Sequence, residues 1–177
     1  MQISFIIPHK GRFEMLIQTI ESIAKQSFDL TQVEVIVVSQ TPDVLKQALS
    51  DEAKLQIKPF LRQESETIST LRNYGVTQSS GRYLAFLDAD IYLSENWIEE
   101  MQSTLAQDTK RIIVSAMQIC KSDAPPLEKI RTSLSNAELD VNVVFLPGRN
   151  LFLTRDSFAK IGGFPEHLVT CEDYYFT

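Results

Sequence analysis

The sequence predicts an α/β domain built on a mostly parallel sheet with helices on both faces. Short apolar runs rich in β-branched residues, such as residues 3–7 (ISFII) and 33–38 (VEVIVV), are typical of strands buried on both faces. Segments with apolar residues at helical spacing lie between these runs. The repeated strand–helix–strand order favours parallel strands joined by crossover helices.

The predicted strands are short apolar runs, most of them ended by turn residues or charges. Because both faces of such a strand meet helices, the apolar residues need not alternate with polar ones. In chain order the predicted strands are residues 3–7, 33–38, 54–60 (ended near Pro59), 82–87, 111–117 and 141–146.

The predicted helices carry apolar residues three or four positions apart on one side. Leu16, Ile20 and Ile23 are spaced in this way after residue 12. Further helices are predicted over 43–50, over 68–78, around Trp97, Ile98, Met101 and Leu105, and over 155–161, where Gly162 and Gly163 end the helix. The polar stretch 120–140 lacks clear periodicity, which predicts a long surface loop.

Composition excludes several classes of protein. The formal net charge is −6 and the pI is near 5.0, which argues against a nucleic-acid partner. No apolar run approaches the roughly 18 residues of a membrane span, and the start lacks the pattern of a signal peptide. Cys120 and Cys171 are far apart in sequence, so we expect reduced thiols in a cytoplasmic protein.

Polar residues follow three predicted strands. "PHKGR" follows the first, "SQTPD" the second, and Asp88 and Asp90 end the fourth. Ligands of open α/β sheets bind outside the carboxyl ends of the strands, and Mg²⁺ or Mn²⁺ takes carboxylate oxygens together with phosphates. A metal site is one interpretation of the two acids. A turn is the other, because Asp is common in turns after strands.

Three blocks of sequence carry a resemblance to a known family. Residues 70–99, "TLRNYGVTQSSGRYLAFLDADIYLSENWIE", contain in order an Arg-Asn-x-Gly helix, a Gly-Arg-Tyr turn, an apolar strand and an acid cluster. This segment, the opening "FIIPHKGRFEMLIQTIESIAKQSF" and the closing "GRNLFLTRDSFAKIGGFPEHLVTCEDYYFT" resemble family 2 glycosyltransferases of the GT-A fold. The resemblance implies one GT-A-like, Rossmann-like catalytic domain over 1–177, with a nucleotide-binding half (1–115) and an acceptor-side half (116–177). Family members generally continue further, so either a C-terminal truncation or a minimal version is expected.

The resemblance assigns roles to four acids. Asp90 is the principal ligand of a divalent metal (Mn²⁺ or Mg²⁺), and Asp88 binds the ribose or shares the metal, although their roles could be exchanged. The base that deprotonates the acceptor lies in the Glu172-Asp173 pair and is assigned to Asp173, which leaves a structural role for the other acid. From the residues alone, such a pair is more often a charge pattern at a helix start.

The resemblance also suggests substrate contacts. The loop 147–150 ("PGRN") places Gly148 and Asn150 near the sugar and acceptor, with a plain turn as the alternative, and Arg72 reaches the nucleotide unless it is an exposed helix cation. Pro8, His9, Ser39 and Gln40 occupy the nucleotide end of the first two strands. Ser39 and Gln40 stand where the family usually has an acidic pair, so a UDP-sugar is favoured but not fixed by the sequence.

The resulting hypothesis is an inverting, metal-dependent glycosyltransferase. It would move a sugar from a nucleotide diphosphate to a hydroxyl of a glycan or lipid-linked acceptor in surface polysaccharide or glycoconjugate synthesis, in the cytoplasm or at the periphery of the inner membrane. One alternative is a non-catalytic or weakly active nucleotide-sugar-binding module of the same fold, which the Ser39-Gln40 departure favours. A nucleotidyltransferase is a third, for which "PHKGR" is only a faint signal.

Overall fold

A computed structural model describes residues 1–42, 55–120, 122–137, 139 and 141–177. The strands are β1 (Ile3–His9), β2 (Val33–Ser39), β3 (Gln56–Leu61), β4 (Tyr83–Leu87), β5 (Ile113–Val114) and β6 (Asn150–Thr154). The helices are α1 (Phe13–Ala24), α2 (Ile68–Thr77), α3 (Trp97–Ala106), α4 (Pro126–Ser135), α5 (Arg155–Ile161) and α6 (Glu172–Phe176), with a 3₁₀ turn over Leu30–Gln32.

The strands form one six-stranded sheet in the order β3-β2-β1-β4-β6-β5. Strands β1 to β4 are parallel, whereas β6 runs antiparallel to both β4 and β5. Every residue of β1 and β2 is buried, as expected for strands covered on both faces. The prediction of a mostly parallel α/β sheet is confirmed.

Two apolar layers cover the sheet, because successive side chains of a strand point to opposite faces. On one face, Phe5 and Ile7 of β1 pack in a cluster with apolar residues of α1 and α3. On the other face, Ile6 packs with apolar residues of α2 and α6. Helices therefore lie on both faces, and the face with α2 and α6 is the one that builds the candidate site.

The glycine of the Arg-Asn-x-Gly segment allows α2 to lie directly on the sheet. A Cβ added at Gly75 would lie 2.5 Å from Ile6 Cγ2 and 3.2 Å from Val38 Cγ2. A larger residue would therefore lift the helix away from β1 and β2. The helix placed in this way carries Arg72, whose guanidinium reaches Asp88 after β4.

Several sequence predictions differ from the structure. Residues 141–146 were predicted as a strand but form none, and Val144 in that run is 93% exposed. The position beside β4 is filled by β6, whose backbone pairs antiparallel with that of β4. The strand predicted over 111–117 is reduced to Ile113–Val114. Residues 120–140, predicted as a loop, contain the exposed helix α4.

Two further predictions concern β3 and its surroundings. Pro59 lies inside β3 rather than at its end. In the described part of the sheet β3 is an edge strand. At an edge, the side of Pro59 that lacks an N–H can face away from the neighbouring strand. The helix predicted over 43–50 lies outside the described residues. No described helix has the length and hydropathy to cross a membrane.

Candidate active site

The side chain of Arg72 is the centre of the candidate site. It projects from α2, is only 2% exposed, and donates from Nη1 to Glu172 Oε1 at 2.9 Å. Its Nη2 donates to Asp88 Oδ1 and to the Gly148 carbonyl, both at 3.1 Å. A buried guanidinium needs such partners, since an unpaired buried charge costs several kcal/mol. The structure therefore excludes the alternative that Arg72 is an exposed helix cation.

The loop 147–150 lies against both Arg72 and the end of β4. The Asp88 amide donates to the Arg149 carbonyl at 3.0 Å, and the Gly148 amide donates to Asp173 Oδ2 at 3.0 Å. A Cβ at Gly148 would lie 3.0 Å from Asp173 Cβ and 3.1 Å from Arg72 Nη1. A larger residue would require Asp173 or Arg72 to shift by a few tenths of an ångström, so glycine favours this close approach of the loop.

The Glu172-Asp173 pair splits into two environments at the start of α6. Glu172 is buried and bound to Arg72. Asp173 is half-buried, and its carboxylate accepts hydrogen bonds from the backbone amides of Gly148 and Tyr174. The two acids therefore point to different partners. Carboxylate oxygens have lone pairs beyond these two bonds, so Asp173 retains capacity to accept a proton.

Asp88 and Asp90 differ in exposure and in electrostatic surroundings. Asp88 is half-buried, and burial raises the pKa of its carboxyl, an effect that Arg72 opposes and the charge of Asp90 reinforces. Asp90 is exposed. Among the described residues, no group of three or more His, Cys, Asp and Glu side chains could hold a metal ion. Two carboxylates at a strand end nevertheless fit a cation that takes its remaining ligands from phosphate and water.

A second group of predicted residues lies at the ends of β1 and β2. His9 Nδ1 is 2.9 Å from Ser39 Oγ, and burial lowers the pKa of the imidazole. Ser39 is fully buried, and Gln40 donates its side-chain amide to the carbonyls of Gln63 and Glu66. Pro8 is buried within β1. Ser39 and the Gln40 amide group are thus engaged with their own chain.

The structure brings the predicted residues together in these two groups. Arg72, Asp88, Gly148, Glu172 and Asp173 form the first through direct contacts. No hydrogen bond between described residues joins this group to His9, Ser39 and Gln40, although both groups follow the carboxyl ends of parallel strands.

Three predicted site residues keep a buried polar atom without a hydrogen-bond partner among the described residues. These atoms are His9 Nε2, Arg72 Nε and Asn150 Oδ1. Buried polar atoms are normally paired with protein, water or ligand. Their position at one edge of the sheet is consistent with a polar ligand binding there.

Sequence reasoning missed two polar residues on which the site and sheet depend. Asn73, next to Arg72, binds the backbone of Phe164. Glu34, inside the apolar run 33–38, is a buried carboxylate at the opposite end of the sheet that accepts from Ser4, Ser80 and Lys58. Glu34 could have been identified from the sequence, because a charged residue inside a run predicted as a buried strand requires hydrogen-bond or ion-pair partners.

Comparison with known proteins finds a family model and relatives that are all glycosyltransferases. The sequence model described as "Glycosyl transferase family 2" matches residues 4–162. Glycosyltransferase AglE of Haloferax volcanii is 25% identical over 99% of this chain and 60% of its own length. Poly(ribitol-phosphate) beta-N-acetylglucosaminyltransferase TarS of Staphylococcus aureus is 23% identical over 100% of this chain and 32% of its own. The chain thus spans less than two thirds of either relative.

Solved structures show the same fold. S. aureus TarS 1–349 in complex with UDP-GlcNAc superposes with a TM-score of 0.72 at 21% identity, covering 99% of this chain and 52% of that one. Mannosyltransferase PcManGT from Pyrobaculum calidifontis in complex with GDP-Man and Mn²⁺ gives 0.69 at 17% identity, covering 99% and 50%. At these identities the likeness establishes the fold alone.

Proposed function

Because its sequence matches the family model over residues 4–162, the chain belongs to glycosyl transferase family 2, and we propose that it transfers a sugar from a nucleotide diphosphate to a hydroxyl acceptor. One observation carries the proposal. A single buried guanidinium, that of Arg72, joins the acid at the end of β4 to the helix that carries the candidate base. The contacts of Arg72 support a proposal in which the acid after β4 serves the leaving diphosphate and α6 supplies the base for the attacking hydroxyl.

Asp173 is proposed as the general base. The acceptor oxygen forms a bond to the anomeric carbon while its proton passes to an Asp173 oxygen, and the bond to the diphosphate breaks with its electron pair on the leaving oxygen. A single displacement of this kind inverts the anomeric centre. The amides of Gly148 and Tyr174 fix the carboxylate orientation, which a base needs before its proton transfer helps by about 10²–10⁴-fold.

Glu172 is proposed to orient the base rather than to accept the proton. Its carboxylate is bound to Arg72 and buried, so proton transfer to it would weaken the ion pair. Arg72 in turn contributes positive charge beside the proposed diphosphate position. Gly148 and Asn150 of the loop 147–150 are proposed to lie near the sugar and the acceptor.

Asp90 and Asp88 are proposed to hold Mn²⁺ or Mg²⁺. Their oxygens suit such a cation, which when bound would offset the negative charge developing on the leaving diphosphate. Asp90 is exposed and free to bind from solution, whereas Asp88 Oδ1 is shared with Arg72. The Mn²⁺ complex of the mannosyltransferase neighbour supports this choice of ion.

The donor is proposed to be a UDP-sugar, bound with its nucleoside toward Pro8, His9, Ser39 and Gln40. The UDP and UDP-GlcNAc complexes of TarS support uridine, while the GDP-Man complex of PcManGT shows that the fold also accepts guanosine. The acceptor is proposed to be a glycan or lipid-linked saccharide of surface polysaccharide synthesis, reached in the cytoplasm or at the periphery of the inner membrane.

A screen of nucleotide sugars tests the proposal. We expect a UDP-sugar to raise the melting temperature in the presence of Mn²⁺, and nucleoside diphosphate to be released when a glycan acceptor is added. Absence of a thermal shift with every nucleotide sugar would overturn it. Donor binding without release for any acceptor would instead favour the binding module.

A further inference from the structure

Asn73 lies beside Arg72 on α2 but contacts a different segment of the chain. Its Nδ2 donates to the Phe164 carbonyl at 2.9 Å, and its Oδ1 accepts from the Phe164 amide at 2.9 Å. The same Nδ2 donates to Glu166 Oε1 at 2.8 Å. One amide thus satisfies both backbone polar groups of Phe164. The segment after α5 cannot slide along α2 without breaking both bonds.

The ring of Phe164 packs against α6, so the hydrogen bonds that fix Phe164 also restrain this helix. Phe164 is 3% exposed, and its ring stacks on that of Phe176 with centroids 3.8 Å apart and planes inclined by 16°. The Arg72 guanidinium also lies over the Phe164 ring, with Cζ 5.0 Å from the ring centroid. Phe176 belongs to the same short helix as Asp173. Moving Phe164 would therefore move the helix that carries the candidate base.

The backbone before Phe164 has little conformational restraint of its own. Gly162 and Gly163 both have positive φ, +93° and +84°, a region that glycine enters freely. A Cβ at Gly163 would lie 3.0 Å from Asn73 Oδ1, so the glycine also allows the close approach of the amide. The hydrogen bonds from Asn73 supply the restraint that these two glycines lack.

We propose that Asn73 is a positioning residue for Asp173. Through Phe164 and Phe176 it holds α6 where Asp173 Oδ2 accepts the Gly148 amide, while Arg72 holds the same helix through Glu172. The kinetic consequence rests on the proposed function, but the contact chain from Asn73 to Gly148 does not. This separation allows the two to be tested independently.

The first measurement needs no substrate. The Gly148 amide is bound to Asp173, so its hydrogen exchange, followed by NMR, reports the placement of that carboxylate. In Asn73→Ala we expect this amide to exchange at least about tenfold faster than in the wild type. The variant lacks the two hydrogen bonds between Asn73 and Phe164, so α6 can open locally at a lower free-energy cost. Unchanged exchange would overturn the proposal whether or not the protein is an active transferase.

The second measurement separates positioning from donor binding. With the donor and acceptor found for the wild type, Asn73→Ala should lower kcat by about 10²-fold while KM for the donor changes by less than about threefold, since misplacement of a base by 1 Å is sufficient for such a loss. A wild-type kcat in this variant would overturn the proposal. Altered Gly148 exchange in a protein without any transfer activity would support the positioning and contradict the proposed function.

Matched variants distinguish positioning from general loss of stability. Gln26 makes a comparable amide clamp on the other face of the sheet, donating to Ser94 O at 2.6 Å and accepting from the Ile98 amide at 3.0 Å. Gln26→Ala should leave Gly148 exchange and kcat within about twofold of wild type at temperatures well below melting. Equal effects of both variants would overturn the proposal.

A second variant guards against misfolding of Asn73→Ala. Asn73→Asp combined with Glu166→Gln keeps the shape of both side chains and the acceptor for the Phe164 amide, but removes the donor to the Phe164 carbonyl. We expect Gly148 exchange and kcat between those of wild type and Asn73→Ala. Wild-type values of Gly148 exchange and kcat in this double variant would overturn the proposal, including the case in which Asn73→Ala fails to fold.

Discussion

Arg72 and Glu172 are one hundred positions apart in sequence, yet Arg72 Nη1 donates to Glu172 Oε1 at 2.9 Å in a buried ion pair. The pair joins α2, which lies on the parallel strands, to α6, which carries the candidate base. The same guanidinium contacts Asp88 and the Gly148 carbonyl. The site is therefore one electrostatic unit rather than a set of independent side chains.

Replacing Arg72 should destabilise the fold and the site together. We expect Arg72→Met to lower the free energy of unfolding by about 3 kcal/mol or more, because Glu172 is left buried without its counter-charge. Urea denaturation followed by circular dichroism measures this. Arg62→Met removes an ion pair to Glu66 whose arginine side chain is 32% exposed, and should cost about 1 kcal/mol or less. Equal losses in the two variants would contradict the central role of Arg72.

Stability at acid pH should depend on Glu34. Burial alone would raise the pKa of this carboxyl, but hydrogen bonds from Lys58, Ser80 and Ser4 lower it to about 2, against 4.5 as its ordinary value. A lowered folded-state pKa stabilises the protein above pH 4.5, and this stabilisation is lost as the pH falls towards 2. The shift corresponds to roughly 3 kcal/mol at most.

The Glu34 effect is measured by urea denaturation between pH 2 and 7. Glu34→Gln should lower stability at neutral pH and flatten the decline below pH 4.5. Glu14→Gln, an exposed site on α1, is the control of equal charge change and should leave the acid decline as in the wild type. An unflattened decline in Glu34→Gln would show that other carboxylates govern acid unfolding.

Donor binding should require a divalent cation and Asp90. We expect calorimetric affinity for the UDP-sugar to fall at least about tenfold in Asp90→Ala, and by a similar factor after addition of EDTA to the wild type, because the diphosphate loses its bridging cation. Asp156→Ala, an exposed aspartate on α5, should bind as the wild type does. Equal affinity with and without metal would remove Asp88 and Asp90 from the proposed metal site.

Transfer should depend on Asp173 in a way that donor binding does not. Asp173→Asn should retain donor affinity and lower the transfer rate by about 10²–10⁴-fold, since the amide cannot accept the proton. Glu172→Gln keeps a carbonyl acceptor for Arg72 but removes the charge, so it should lower stability and should lower the transfer rate less than Asp173→Asn does. Release of nucleoside diphosphate and thermal melting of both variants measure the difference. A wild-type rate in Asp173→Asn would assign the base to another group.

The sequence predicted the sheet because its signals are local. A buried strand needs a continuous apolar run, and β1, β2 and β4 have one, so their carboxyl ends and the acids after β4 could be located without a structure. The end of α5 could also be predicted from the sequence, because glycine is the usual residue after the last turn of a helix. Gly162 adopts φ +93° there, a conformation that few other residues enter. The family-level resemblance rests on these same segments.

Tertiary packing alone decided the rest. Residues 141–146 are apolar enough for a strand, but β6 takes the place beside β4 and leaves Val144 exposed. The burial of Arg72 and the clamp from Asn73 each depend on partners more than 90 residues away, at Glu172 and Phe164. Apolar periodicity reports which residues leave water, whereas the pairing of buried polar groups depends on which segments the fold brings together. The sequence therefore determined the parallel strands β1, β2 and β4 and the acids after β4, and the tertiary structure decided which strand lies beside β4 and which charges meet at that end.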